Sequence, residues 1–322
     1  MWKYIGRRLL EVVPTTFGIL LLTFLLFNVV GGSPALSILG KNASAESVAE
    51  FNHRYGYDKP LVIGDGNVFD SQFFNFVKGL CRGDLGYSTE LNEPVADILK
   101  RGVGPSLSLT LPILAGGTFM ALVFALLSAA YRGKFVDKTI LVGSTVLMSV
   151  NYVVWVLAGQ FLFSYRLGAF PVWGYGGWFY LVLPVLIGIV SSLGVDIRFF
   201  RTAILDELYK PYVLTARAKG LSRGVIMTRH VLRNALIPIV TYVSLSIPYL
   251  FTGSLLLESF FGNPGLGSVS MNAINSSDMA VVRSVVVLGA LLYQFVNLVT
   301  DLLYAALDPR VRLSRCTGIL DR

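Results

Sequence analysis

A chain of 322 residues that is 54% hydrophobic and only 14% charged, with a positive mean hydropathy, has the composition of a polytopic membrane protein and not of a soluble domain. A net charge of +8 would suit a nucleic-acid partner, but most of the 27 Lys/Arg lie in segments that share one side of a bilayer. That is the positive-inside pattern of short cytoplasmic loops, and it leaves no nucleic-acid surface. Cys81 and Cys316 fall on opposite faces of that bilayer, so they neither pair with each other nor show a metal-ligand spacing.

In chain order, the basic tail with Lys3, Arg7 and Arg8 precedes the apolar run Val12–Val30. This run exceeds the ~7–15 residues of a signal-peptide core and predicts a retained first span. Six runs are long enough to cross, since about 20 residues span the hydrocarbon. They are Leu9–Val30, Leu107–Ala130, Ile140–Phe163, Trp178–Val195, Ala235–Leu257 and Val281–Leu307. Six spans with this charge distribution put both termini in the cytoplasm. Pro14, Pro112, Pro184, Pro238 and Pro248 predict kinks, which neighbouring helices in a bundle tolerate. The fifth span, with two of them, is expected to bend most.

The organisation read from this pattern is a tail and first helix over 1–30, an insert over 31–103, a five-helix core over 104–307, and a cytoplasmic tail over 308–322. The insert is nearly balanced in charge and too small to bury much core alone. It predicts a helix over Ala45–Tyr55, capped by Ser44 and stopped by Gly56, and another over Phe69–Lys78 ending at Gly79. Val95, Ile98 and Leu99 share one face of a third, expected to lie flat on the bilayer before the second span.

Residues 198–234 form a basic loop between two apolar runs. Pro211 suits a first helical position and Gly220 a C′ position, predicting a helix of about 13 Å between them. Arg217 and Lys219 then occupy its last turn, where cations suit the helix dipole. Ser222 is expected to cap a second helix running through Arg229 and Arg233. Spacing alone supports two readings: an ordinary cytosolic loop, or a knob that another protein grips.

Catalytic patterns are missing from the sequence. There is no GxxxxGK[ST] loop, no HExxH and no CxxC, and His53 and His230 lie on opposite sides. No catalytic residue, cofactor or metal site is expected, and the chain is not read as an enzyme. The polar groups inside the spans remain. Gln294, Asn297 and Asp301 follow i, i+3, i+7 spacing, while Asn151 and Gln160 sit in the third run. These residues either line a pathway or hydrogen-bond between helices. Asp196, close in sequence to Arg198 and Arg201, is expected to form a local ion pair.

The loop also carries a resemblance. Thr215-Ala216-Arg217-Ala218-Lys219-Gly220, then Arg229-His230 and Leu232-Arg233-Asn234-Ala235-Leu236-Ile237-Pro238, resemble the EAA loop of ABC importer permeases, closest to the dipeptide/oligopeptide/nickel group. Leu214-Thr215-Ala216 stands where the general pattern has Glu-Ala-Ala, and Arg233 where many members have proline; the peptide branch is similar to this chain at both. Ile5-Gly6-Arg7-Arg8-Leu9-Leu10, Asp58-Lys59-Pro60-Leu61 and Gly83-Asp84-Leu85-Gly86-Tyr87-Ser88 resemble the first permease subunit of peptide importers. So do Glu258-Ser259-Phe260-Phe261 with Pro264-Gly265-Leu266-Gly267, and Asp308-Pro309-Arg310-Val311-Arg312-Leu313. Ser33 stands where an aspartate is usual, and the tail runs on past Leu313.

The resemblance implies an all-α polytopic membrane protein with six transmembrane helices of the type I ABC importer permease kind and a small α-helical extracytoplasmic insert. It implies a bacterial inner-membrane importer subunit for di- or oligopeptides, with both termini cytoplasmic. The implied partners are a second homologous permease, two cytosolic ATPase subunits, an extracytoplasmic binding protein, membrane lipid and the peptide. Tyr212, Thr215, Ala216, Arg217, Ala218, Lys219 and Gly220 are the implied ATPase-coupling residues. The alternatives are a permease of the same family for nickel or another small solute, and a stand-alone secondary transporter. Glu11, Asp196 and Asp301 all lie near cytoplasmic ends, which speaks against an ion-coupling carboxylate at mid-membrane.

Overall fold

The computed structural model describes residues 2–30, 35, 39–40, 43–62, 71–247 and 254–307. Among these, regular structure is helical apart from one antiparallel bridge between Tyr87 and Pro94. The helices are α1 (Trp2–Leu25), α2 (Ala45–Tyr55), α3 (Gln72–Cys81), α4 (Val95–Ala130), α5 (Phe135–Ser149), α6 (Tyr152–Gly159) and α7 (Trp178–Leu208). They continue as α8 (Pro211–Ala218), α9 (Arg223–Val225), α10 (Leu232–Ser244), α11 (Leu255–Phe261), α12 (Leu266–Asn275) and α13 (Met279–Leu307). Two compact units divide the chain: Met1–Val103 with Val269–Arg322, and Gly104–Ser268.

In the first unit, α1 packs along α13 and against α3. Leu20, Phe24, Phe73 and Val287 are its buried core, with the Phe73 ring edge-on to Phe17 and Phe24 at 5.4 Å each. The insert is pinned by polar contacts. Asp278, 1% exposed, accepts from the Ser88 hydroxyl at 2.5 Å and from the Glu90 and Val281 amides at 3.3 Å. The Ser284 hydroxyl donates to the Leu85 carbonyl at 3.0 Å. Through these bonds the Gly83–Ser88 motif acts structurally, as the clamp that holds the insert to the first turn of α13.

Caps fall where the sequence puts them. Ser44 accepts from the Ser47 amide at 3.1 Å, and Gly56 ends α2 at φ 73°. The next helix starts later than expected, because Ser71 caps it and it runs to Cys81, past Gly79. Phe69 and Asp70 lie outside the described residues. Val95, Ile98 and Leu99 are buried against protein and do not lie on a bilayer. Their helix continues through Pro105 and Pro112 as one 36-residue rod.

In the second unit, α4, α5, α7 and α10 surround one core. An alanine stripe on α4 (Ala121, Ala125, Ala129) shares that core with Ile189, Leu193, Ile197, Phe200 and Ile204 of α7. At Gly194 the α5 backbone is so close that a Cβ would meet the Ser144 carbonyl at 2.6 Å. The turn between α4 and α5 is tied to α7 by a largely buried ion pair. Arg201 reaches both Asp137 oxygens at 3.0 Å and the Ser128 hydroxyl at 2.8 Å. Ser128 in turn donates to Asp137, and the Gly133 amide donates to it at 2.9 Å. Ser128→Ala is expected to lower unfolding free energy by about 1–2 kcal/mol, since a buried carboxylate loses one donor and its arginine one acceptor. Denaturant unfolding of the purified chain in detergent checks this.

Among the described residues four helices are long and apolar enough to cross a membrane, and a bent pair, counted as one span, gives a fifth. The expected third span is that pair: α5 and α6 meet at 91°. Neither Gly nor Pro marks the break. Val150 is extended, and the Asn151 side chain accepts from the Val153 amide at 2.9 Å, starting a new helix. The expected fifth span, Ala235–Leu257, opens with α10, which ends at Ser244; residues 248–253, including Pro248, lie outside the described residues.

Candidate functional site

The second unit has three features of functional interest, of which the first lies where the sequence placed a functional element. The first is the basic elbow after α7. Pro211 opens α8 at its first turn, Lys219 caps it, and Gly220 turns the chain at φ 75°. A left-handed turn there is natural only for glycine and, at some cost, Asn or Asp. Val213 and Ala216 point inward and join the core that holds Ile189–Ile204 of α7 and Ala121–Ala129 of α4. The Tyr212 hydroxyl donates to Glu207 at 2.7 Å, and Glu207 also pairs with Lys210 at 2.5 Å. Burial foremost, and then the Glu207 carboxylate, push the Tyr212 phenol above its ordinary range against an opposing bond to Asn234, so it stays a donor.

The seven expected coupling residues therefore divide. Ala216 is an inward anchor and Tyr212 is half-buried, whereas Thr215, Arg217, Ala218, Lys219 and Gly220 are exposed. Leu214 was missed. It is 62% exposed, an apolar tip flanked by Arg217 and Lys219. The signal was available, because residues 213 and 216 facing inward leave 214 pointing out. After the elbow, Ser222 occupies the cap position without a side-chain bond, and α9 passes directly into a π-helical turn, Ile226–Val231.

The second feature is a cavity of about 360 Å³. One face of α4 (Thr110, Ile113, Leu114, Gly117, Thr118) and one face of α7 (Gly188, Ser191, Ser192, Asp196) form its long walls. Both sets follow i, i+3, i+4 spacing over about 12 Å of helix. Tyr152, Tyr242, Ser246, Ser254 and Leu257 complete it. Asp196 makes no ion pair with its sequence neighbours. It accepts from the Tyr242 hydroxyl at 2.9 Å, while Arg201 goes to Asp137 and Arg198 to Ser144 and Thr145. Helix periodicity decides this: the two arginines leave α7 on different faces from Asp196.

The polar residues expected to line a pathway sit elsewhere. Asn151 caps α6, and Gln160 donates to the Val172 carbonyl at 2.8 Å and the Phe260 carbonyl at 3.0 Å. Gln294 donates to Thr15 at 2.8 Å between α13 and α1, with Asn297 half-buried on the same helix. The Gln294 bond is a tie between helices, as in the alternative reading, whereas Asn151 and Gln160 bond to backbone. The Asp301 side chain lies outside the described residues.

The third feature is a staple made by residues 254–268. Glu258 is fully buried and accepts from the Ser106 hydroxyl at 2.8 Å and the Ser254 amide at 3.1 Å. It also accepts from the Gly267 and Ser268 amides at 2.7 and 3.2 Å. The last two are free donors of the first turn of α12, where a negative charge is favoured. Ser106 closes the ring by accepting from the Leu266 amide at 2.7 Å, and Asn263 donates to the Pro105 carbonyl at 3.1 Å. Glycine is needed at 265 and 267, where a Cβ would sit 2.4 and 2.8 Å from the carboxylate. Gly262 turns left-handed beneath the Trp173 indole.

The comparisons with known proteins cover nearly the whole chain. Residues 1–110 match the N-terminal domain of binding-protein-dependent transport system membrane components. Residues 121–313 match the inner membrane component itself. The chain is similar to the glutathione transport system permease protein GsiC of Shigella flexneri, 32% identical over 97% of this chain and 99% of that protein. It is likewise similar to GsiC of Escherichia coli K12, 31% identical over the same shares. The helical architecture, the apolar spans and these matches together place the chain in the family of binding-protein-dependent transport system inner membrane components, the permeases of ABC transporters.

Proposed function

We propose that this chain is half of the translocation pathway of an ATP-driven bacterial importer for small peptides. Its cavity face, Thr110, Ser191, Ser192, Asp196, Tyr242 and Ser246, is the part of that pathway this chain supplies. ATP is hydrolysed on two cytosolic subunits, a second homologous permease completes the pore, and an extracytoplasmic binding protein delivers cargo to the insert over 31–103. In this arrangement both termini and the elbow over 198–234 are cytoplasmic.

One observation carries the reading: the elbow and the cavity wall share one buried core. Val213 and Ala216 of α8 are packed in one core with the buried face of α7, whose other face supplies Ser191, Ser192 and Asp196 to the cavity. A push on the exposed tip (Leu214, Arg217, Lys219) reaches that wall through the shared core, because packed cores do not deform continuously. The motor's work enters as a difference in affinity for the pore's two states. The glutathione named for the relatives favours a peptide-like cargo. The resemblance to nickel permeases keeps a chelated metal as the second reading.

The test uses proteoliposomes holding the chain, its sister permease and the ATPases, with the binding protein inside or outside. Radiolabelled glutathione and a dipeptide are expected to accumulate only when ATP and the binding protein are both present. Uphill uptake without the ATPases defeats the coupling reading. Uptake of nickel but of neither peptide replaces the cargo.

A further inference from the structure

Among the described lining residues of the cavity there is one carboxylate. Asp196 stands a turn beyond Ser192 on the lining face of α7, and its bonds with the Tyr242 and Ser192 hydroxyls leave about two of its four lone-pair positions open. Tyr242 is fixed in turn by stacking on Phe199, with centroids 4.4 Å apart. The cations closest in sequence are committed elsewhere, Arg201 in its fork to Asp137 and Arg198 to Ser144 and Thr145. Ionisable groups within membrane spans are costly and are kept where they face water or a passing ligand. This one faces a space lined by hydroxyls from Thr110, Ser191 and Ser192.

We infer that Asp196, positioned by Tyr242, is a cation-recognising subsite of the pathway that takes a primary ammonium group of the cargo. The inference rests on the proposed pathway and adds a chemical preference to it. An ammonium carries three donors and no acceptor, which matches a carboxylate oxygen surrounded by hydroxyl oxygens. A divalent metal is a poorer fit: it requires more anionic or nitrogen ligands, and no group of three His, Cys, Asp or Glu is assembled among the described residues. Charge discrimination at such a site would act on every cargo molecule after the binding protein has released it.

The experiment uses the full-length chain in native membranes, with Cys81 and Cys316 replaced by serine and either Ser192→Cys or Ser246→Cys introduced. Each cavity thiol is labelled with methanethiosulfonate reagents carrying an ethylammonium or an ethylsulfonate group, with rates normalised to a small free thiol. The cationic reagent is expected to react about tenfold faster, as a nearby unpaired carboxylate in a medium less polar than water would require. That preference is expected to fall to near unity in Asp196→Asn. Methylammonium is expected to slow the cationic reagent more than potassium at equal ionic strength, again only with Asp196 present. Thiols inert to both reagents would close the cavity to water and defeat the pathway reading along with this one. Reactive thiols with no Asp196-dependent preference would overturn the subsite alone. Equal slowing by potassium would replace the ammonium with an inorganic cation.

Discussion

Glu258→Gln is expected to lower the unfolding free energy by about 3–5 kcal/mol, the range for breaking a buried, multiply bonded charge. The substitution changes no volume, so cavity formation contributes nothing. The loss comes from polarity. The carboxylate accepts four bonds, three from backbone amides and one from Ser106, at 0% exposure. A glutamine turns an amide nitrogen towards donors whichever way it is flipped, leaving a Ser254, Gly267 or Ser268 N–H buried and unanswered. It also removes the negative charge from the first turn of α12. Ser106→Ala, which deletes the bond to the carboxylate and leaves the Leu266 amide without its acceptor, is expected to cost about 1–3 kcal/mol. Denaturant unfolding of the purified chain in detergent reads both. An E258Q midpoint equal to wild type would mean the staple contributes no stability, and that Gly265 and Gly267 owe their presence to something else.

Much of the scaffold was legible in the residues because hydropathy and punctuation act locally. Pro211, Gly220, Ser44 and Gly56 set helix ends through their own backbone preferences, and no neighbour overrides them. The break at Val150–Asn151 was hidden. A continuous apolar run looks like one helix until an Asn side chain captures an amide two residues on, and that competition leaves no mark on the hydropathy. The fusion of the Val95–Arg101 helix with the next span was hidden for the opposite reason. The fold carries Pro105 inside one 36-residue helix, and the Asn263 side chain, far along the chain, donates to its carbonyl.

The cavity was illegible for a subtler reason. Polarity alone singled out Asn151, Gln160 and Gln294, but long amides are the side chains best able to reach a neighbouring backbone or helix, and that is where they go. The lining is made instead by short hydroxyls that also satisfy themselves locally. Ser191 and Ser192 each donate to a carbonyl three residues earlier, which lets them sit on the cavity wall within a helix. Asp196 was placed by sequence neighbourhood when helix phase was the deciding variable.

Gly220→Asp is expected to leave the chain folded and inserted while reducing ATP-driven uptake at least tenfold. Folding and transport separate here by geometry. A Cβ at Gly220 meets nothing within 4 Å, so no packing is lost. The φ of 75° costs a non-glycine residue about 1–2 kcal/mol, and Asp is among the residues that bear it best. What changes is the exposed surface. A carboxylate arrives just past the negative end of the α8 dipole, among Arg217, Lys219 and Arg223, on the tip proposed to seat in the ATPase. Desolvating an unmatched charge in that contact costs more than the turn's strain. Gly220→Asn separates the causes, because it carries the same backbone conformation without the charge and is expected to retain most uptake and ATPase association. Equal impairment of both variants would assign the effect to the turn. Normal uptake and normal ATPase co-purification in Gly220→Asp would show that this elbow is not where the motor grips.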